Sequence, residues 1–547
     1  MSARRSNRVR AHHRRTKFAA AGVSMRYSAH LLAAILLIGI ALSIFMYAGP
    51  QPLYDDSFYI FLAHMAATGN TGFLGSEFAF GFMNILPESL SFMALGYGSV
   101  QAVLPDMIEY ALLVLFTFLT ARLIGGDLMG IVASFLAATA PFAVSIATRP
   151  LPDLSIGMAV AFALYMIFKS ARSRNAIAMP FAAGAACAFT VYMKPTGYAF
   201  IAPTMLFMLA ALVYDASKGR RGGVPQHPFP RVGYRYLALF LAGFAVAMAA
   251  YFSVFYLEFT APFFPLVNYV NSQGPPLALK AGVFNPDPFS VYGTYPEIYT
   301  ASPLIFMALA GAILSAWKRD RCLMYLSAVA WFVVLYFFLG TGTFGRYVPV
   351  PFSTRYLDAI LSPLAIIAAA PVLSLRSAVG CRLGARAGTV CVLAVAVAVL
   401  ALDAPVYASL YASNIGIPSV ESAFQSIMGT IYSNAGTHNV DVYAQSNTQY
   451  ALQLFQSLQF AADYNPGTQF YIANWTIIPY NNAVSCVGPN RPSYLVTLYP
   501  KSLPQGLSSP GNPVSSWLGQ NCSGSMIYSG QINYTGSKVQ IISLHSR

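Results

Sequence analysis

Charge is what this chain of 547 residues has least of: Asp, Glu, Lys and Arg together make up 9% of it, against roughly a quarter in ordinary soluble domains. That shortage excludes a string of soluble domains, whose surfaces need charge to stay in water. Acid is scarcer than base, 18 residues against 32. Cysteine is rare as well, with six in the chain, and none stand at metal-ligand spacing, which excludes a zinc-binding module. No internal repeat, heptad pattern or low-complexity tract is present, so solenoids, long coiled coils and disordered scaffolds drop out.

What fills the chain instead is apolar, with 56% hydrophobic residues. Runs of about 16 to 22 apolar residues, the length that crosses a bilayer, begin near His30, Met107, Leu128, Leu154, Ala176, Tyr198, Tyr236, Pro303, Leu323, Leu357 and Val390. The pattern predicts an all-α polytopic membrane domain of eleven transmembrane helices over residues 30–405, preceded by a basic tail at 1–29 and followed by a different kind of segment at 406–547.

The charges supply the orientation. With the N-terminus in the cytoplasm, Lys and Arg gather in the tail "MSARRSNRVRAHHRRTK" and in the inner turns at 169–174, 218–235, 318–321 and 376–386. Only five fall on outer loops: Arg149, Lys194, Lys280, Arg346 and Arg355. This is the positive-inside bias, and it assigns the +14 net charge to topology, with no nucleic-acid partner. The apolar run from Leu31 to Met46 has no small-residue cleavage site and is expected to remain as a span. The expected location is the plasma membrane, with the N-terminus cytoplasmic and the C-terminal domain outside.

The acids show the opposite bias, which no insertion rule demands. Asp127, Asp215 and Asp320 fall inside, whereas Asp55, Asp56, Glu77, Glu88, Asp106, Glu109, Asp153, Glu258, Asp287, Glu297 and Asp358 fall on outer loops or outer span ends. Any chemistry is therefore expected on the outer face. Two long outer loops frame it: 49–106, which holds the like-charged pair of "YDDSFYIFLAHMAATGN" and apolar stretches suited to helices at the membrane surface, and the proline-rich 258–300. The segment 406–547 is rich in Ser, Asn, Gln, Thr and Tyr and contains the strand-like runs "YIANWTIIPY", "PSYLVTLYP" and "KVQIISL". It reads as an extracytoplasmic soluble domain, mixed α/β or β-rich. Its Cys486 and Cys522 admit a disulfide in an oxidising medium, and Asn474, Asn521 and Asn533 begin N-x-[ST] triplets open to glycosylation in a host that performs it.

The stretch "YDDSFYIFLAHMAATGN" resembles the first outer loop of the GT-C glycosyltransferases, in particular the protein mannosyltransferase and aminoarabinose transferase branch. In that branch an acidic pair follows the first span, with a Tyr, an Ala and a Gly further on; Asp55, Asp56, Tyr59, Ala63 and Gly69 occupy those places. "ATRPLPDLSIG" puts Asp153 where the family commonly has another acid, "YMKPTGYAFIAPTML" puts Lys194 where it often reads Lys-Tyr-Thr-Gly, and "STRYLDAILSPLAIIAAA" matches its Arg-Tyr-Leu followed by Pro. Position 56 carries Asp where Glu is commoner, and His64 stands where Lys or Arg is frequent. The Trp-Trp-Asp-Tyr-Gly signature of oligosaccharyltransferases is missing, which argues against that branch.

The resemblance implies an inverting transfer of sugar from a polyprenyl- or dolichyl-phosphate donor to a hydroxyl of a glycan, lipid or protein at the outer face of the bilayer. Asp55 would be the base and Asp56 would hold the acceptor or a cation, while Arg355, with Lys194 and Arg346, would face the donor phosphate. No cofactor is required on this reading; were Mg²⁺ or Mn²⁺ used, Asp55, Asp56 and Asp153 would be its ligands. Blander roles stand beside these: the Asp pair and Asp153 as helix caps, Lys194 and Arg346 as interfacial anchors, His64 as a packed helix residue. A transporter or lipid flippase would need midplane charges and repeated halves, which are not seen. A non-catalytic subunit of the same fold would have little use for Asp55 and Arg355.

Overall fold

The computed structural model describes residues 25–47, 55–71, 74, 81–96, 99–170, 172–173, 175, 177–217, 233–261, 263, 302–339, 354–415, 430, 433, 440–444, 475–479, 493–499, 523–532 and 537–545. The helices are α1 (Met25–Phe45), α2 (Asp55–Ala67), α3 (Phe82–Leu95), α4 (Ser99–Gly125), α5 (Asp127–Ala138), α6 (Pro141–Ile146), α7 (Pro152–Ser170), α8 (Ala178–Met193), α9 (Gly197–Ser217), α10 (Tyr234–Phe259), α11 (Ser302–Lys318), α12 (Arg321–Leu339), a 3₁₀ helix (Thr354–Ile360), α13 (Leu361–Leu383) and α14 (Ala385–Ile415).

Each apolar run picked out in the sequence coincides with a helix, but the run from Leu128 does not stay whole. It breaks after Ala138 and restarts at Pro141 as the short α6, because proline has no amide to continue the α5 ladder and suits the first position of a new helix. Six helices of the described residues are long and apolar enough to cross a membrane, within α1, α4, α7, α10, the 3₁₀–α13 stretch and α14; the other apolar helices are shorter. The chain is an integral membrane protein. The two helices α2 and α3 lie between α1 and α4, in the segment that the charge pattern predicts to be an outer loop.

Local sequence explains several turns. Gly126 sits at φ +86° between α4 and α5, a left-handed conformation that favours glycine, and Arg122 closes the turn on Asp127 at 2.5 Å. Asp320 caps α12 by accepting from the amides of Cys322 at 3.0 Å and Leu323 at 3.2 Å. Asn175 does the same for α8 through the amides of Ile177 and Ala178.

The centre of the helical part is α7, apolar on all sides and buried along most of its length, with α4 and α8 packed against it and the first half of α13 buried nearby. The pair α8–α10 is joined through glycines. A Cβ at Gly184 would overlap the Phe240 carbonyl oxygen, and one at Gly243 would overlap that of Phe181. Lipid tails are as apolar as leucine, so such helices associate through close backbone approach at small residues. Gly184→Val should therefore force the pair apart and lower stability by about 1–3 kcal/mol or more, whereas Gly233→Ala, which meets nothing within 4 Å, should be near neutral. Thermal unfolding in detergent measures both.

Towards the C-terminus five strands, β1 (Val440–Ala444), β2 (Trp475–Pro479), β3 (Ser493–Tyr499), β4 (Ser523–Ile532) and β5 (Ser537–His545), form one sheet in the order β2-β1-β3-β5-β4. β1 runs parallel to β2 and β3, pairing Val442 with Ile477 and Tyr494; β5 runs antiparallel to β3 and β4. β2, β3 and β5 fall on the three strand-like runs of the sequence. Cys486, Cys522, Asn474, Asn521 and Asn533 lie outside the described residues.

Candidate active site

The acidic pair opens α2: Asp55 and Asp56 are its first two residues, where the positive end of the helix favours carboxylates. Asp56 is fully buried and gripped from both sides by Arg149, whose Nε donates to Oδ2 at 3.0 Å and whose Nη2 donates to Oδ1 at 2.7 Å. Arg149 lies in the turn between α6 and α7, and its planar fork matches the two carboxylate oxygens. The sequence marks it only as one of the scarce outer cations. Its partner is 93 residues away, and no local motif announces the pair.

Four residues on, Asp153 follows Pro152 in the first turn of α7 and is ion-paired with Lys194. Lys194 closes α8 with an extended backbone, and its ammonium lies 4.5 Å from the centroid of the Tyr356 ring, a cation–π geometry. Tyr356 belongs to the 3₁₀ helix of "STRYLDAI". Three of the four stretches that carry the family resemblance thus meet here. The Lys194 side chain is only 16% exposed and is paired with Asp153. The backbone of Arg355 lies in the same 3₁₀ helix; its side chain, that of Asp55 and the whole of Arg346 lie outside the described residues. His64 is a half-buried member of the last turn of α2.

Behind the two ion pairs lies a set of buried acids that the sequence placed on the outer side without grouping them: Glu88 on α3, and Asp106 and Glu109 on α4. Ser155 ties Glu109 and Asn84 to α7, its Oγ standing 2.5 Å from both Asn84 Oδ1 and Glu109 Oε2. A hydroxyl carries one proton, so one of these contacts requires a proton on Glu109 or the Asn84 amide turned about. Burial pushes the Glu88 carboxyl up, and the neighbouring Glu109 charge adds to the shift. The folded protein then keeps a proton that the unfolded chain releases. Stability is highest below the ordinary value of about 4.5 and falls as pH rises towards the folded value. Glu88→Gln should flatten that fall and raise the melting temperature most at the alkaline end of a series between about pH 5 and pH 8; an unchanged slope would show that Glu88 does not carry it.

Among the described residues no group of three His, Cys, Asp or Glu side chains is placed to hold a metal ion, and Asp56 and Asp153 each face a cation of the chain. The arrangement can do two things chemically: present carboxylates to a hydroxyl, and present a guanidinium and an ammonium to an anion.

The family model described as dolichyl-phosphate-mannose-protein mannosyltransferase matches residues 89–218, the segment that holds Arg149, Asp153, Ser155 and Lys194. No curated protein sequence matches the chain. Among solved structures, ArnT from Cupriavidus metallidurans bound to undecaprenyl phosphate is similar with a TM-score of 0.55 at 14% identity, over 95% of this chain and 98% of that one. The apo state of the same protein gives 0.56 at 14% identity, with the same coverage of 95% and 98%. The oligosaccharyltransferase of Archaeoglobus fulgidus tethered with an acceptor peptide gives 0.48 at 14% identity, over 87% of this chain and 69% of that one. The chain therefore has the GT-C fold and is similar, in sequence over residues 89–218 and in structure over nearly its whole length, to the protein mannosyltransferase and aminoarabinose transferase branch of that fold.

Proposed function

We propose that this protein is an inverting glycosyltransferase that moves a sugar from a polyprenyl-phosphate carrier to a hydroxyl of a glycan, lipid or protein at the outer face of the plasma membrane. The observation that carries this reading is the pair of internal ion pairs, Asp56–Arg149 and Asp153–Lys194, joined through one short turn and closed by Tyr356. The ArnT structure that shares the fold holds undecaprenyl phosphate, a lipid of the class proposed here as the carrier.

In the reaction the acceptor oxygen attacks the anomeric carbon as the bond from that carbon to the phosphate oxygen breaks. Polyprenyl phosphate leaves with the bonding electrons. The hydroxyl proton passes to Asp55, the carboxylate of the opening pair that begins α2. Asp56, whose two oxygens are engaged by Arg149, orients the site and the acceptor. Lys194, Arg355 and Arg346 stabilise the departing phosphate, and Arg355 is assigned the bidentate contact. One displacement inverts the sugar. A route without a metal is supported by the positive charge that Arg149 and Lys194 already place beside Asp56 and Asp153. The N-in, C-out arrangement of eleven spans, with residues 406–547 as an outer domain bridged by Cys486 and Cys522, rests on the distribution of charge and composition.

Mass spectrometry of cell-surface glycans and glycolipids with and without the gene tests the reading. One sugar should disappear on deletion and return with the wild-type gene. Identical glycans in both strains would overturn it.

A further inference from the structure

The 3₁₀ helix that puts Tyr356 under Lys194 brings a second group to the same place. Asp358 is fully buried, and neither of its carboxylate oxygens has a hydrogen-bond partner among the described residues. One turn on, the Ser362 hydroxyl is likewise buried and unpartnered. A carboxylate withdrawn from water without bonds is destabilising, so its placement calls for a cause.

The backbone fixes that placement. A Cβ at Gly157 would lie 2.5 Å from the Asp358 carbonyl oxygen, so the 3₁₀ helix is seated on α7 as closely as a glycine permits, one helical turn beyond Asp153. In that same 3₁₀ helix Tyr356, over whose ring the Lys194 ammonium stands, comes two residues before Asp358. The ammonium, with three donors on a flexible four-carbon stem, is bonded to Asp153. Moving it between two carboxylates exchanges one internal ion pair for another; moving it away from a single one would strand a buried charge.

We propose that Asp358 is a positioning residue that takes over the Lys194 ammonium from Asp153 during transfer, freeing Asp153 to face substrate while Lys194 stays charged and fixed over Tyr356. The proposal rests on the transferase reading above. No covalent bond changes in the hand-over. It also gives the unsatisfied carboxylate its role, since an acceptor already bonded in the resting state could not receive the ammonium.

Four purified full-length proteins test it: wild type, Asp358→Asn, Lys194→Gln and the double variant. Melting temperatures in detergent come first and need no substrate. Asp358→Asn should melt at or above wild type and Lys194→Gln below it. Adding Asp358→Asn should raise the melting temperature more in the Lys194→Gln background than in wild type, because there the carboxylate has lost its cation. Equal shifts in the two backgrounds overturn the coupling. Transfer is then followed from undecaprenyl-phosphate mannose, arabinose or galactose to membrane-extracted acceptors. Asp358→Asn should lower kcat about tenfold with donor KM moving less than about threefold, and Asp358→Glu should retain more turnover than Asp358→Asn. Undiminished kcat in a well-folded Asp358→Asn protein overturns the hand-over and leaves the transferase reading standing. No transfer by wild type from any such donor overturns that reading and the hand-over with it.

Discussion

Asp55→Asn is expected to fold, insert and bind a polyprenyl-phosphate donor as wild type does, while sugar transfer falls by about 10²- to 10⁴-fold, the usual worth of a positioned general base. The exchange keeps the size and planarity of the side chain and removes only the basic oxygen. A competing account is available because α2 begins at Asp55. A carboxylate in that place can serve simply to cap the helix, and Asn caps as well as Asp. The two accounts therefore separate on one variant. Capping predicts near wild-type transfer, and base catalysis predicts a collapse of kcat with the fold and donor affinity retained. Near wild-type transfer by a well-folded Asp55→Asn protein would reduce Asp55 to a cap. Asp56→Asn should cost less transfer, because its two oxygens are already engaged by Arg149.

The positions of the helices were legible because apolar runs are written along the chain itself. The break of the Leu128 run was readable in principle from Pro141, yet a proline near a span end is common enough to pass. The lysine and the acid of the second ion pair were both singled out from their stretches. Their contact was not visible, since 41 residues separate them and only the packing of α7 against α8 brings them together. Arg149 and Ser155 were missed for the same reason. An arginine in a short turn and a serine in an apolar helix have no signature of their own, and their meaning comes from Asp56, 93 residues off, and from Glu109, 46 residues off. Asp358 sits inside a recognised stretch, but its burial and its lack of a hydrogen-bond partner among the described residues go with the close seat on Gly157, which no one-dimensional pattern encodes.

Arg149→Ala is expected to be the most damaging single change to the stability of the site. It takes from Asp56, a carboxylate that is 0% exposed, the guanidinium that bonds both of its oxygens. Breaking a buried pair by removing one partner costs roughly 3–5 kcal/mol, chiefly because the other charge is left in a poor solvent. The Arg149 side chain is itself 18% exposed, so solvent weakens the pair and the loss should fall towards the lower end of that range. The reverse deletion is milder: in Asp56→Asn the guanidinium left behind lies nearer to water and can be hydrated. The double variant Asp56→Asn/Arg149→Ala should then be more stable than Arg149→Ala alone, since it removes the buried charge as well as the guanidinium that bonds both its oxygens. Arg149→Lys should fall between wild type and Arg149→Ala, because an ammonium is a point charge and cannot bond both carboxylate oxygens in the planar, two-pronged way. Unfolding of the four variants and wild type in detergent gives this order directly. A double variant no more stable than Arg149→Ala would mean that the loss comes from the packing of the arginine stem, and the ion pair would then have no claim to hold α2 against the turn before α7.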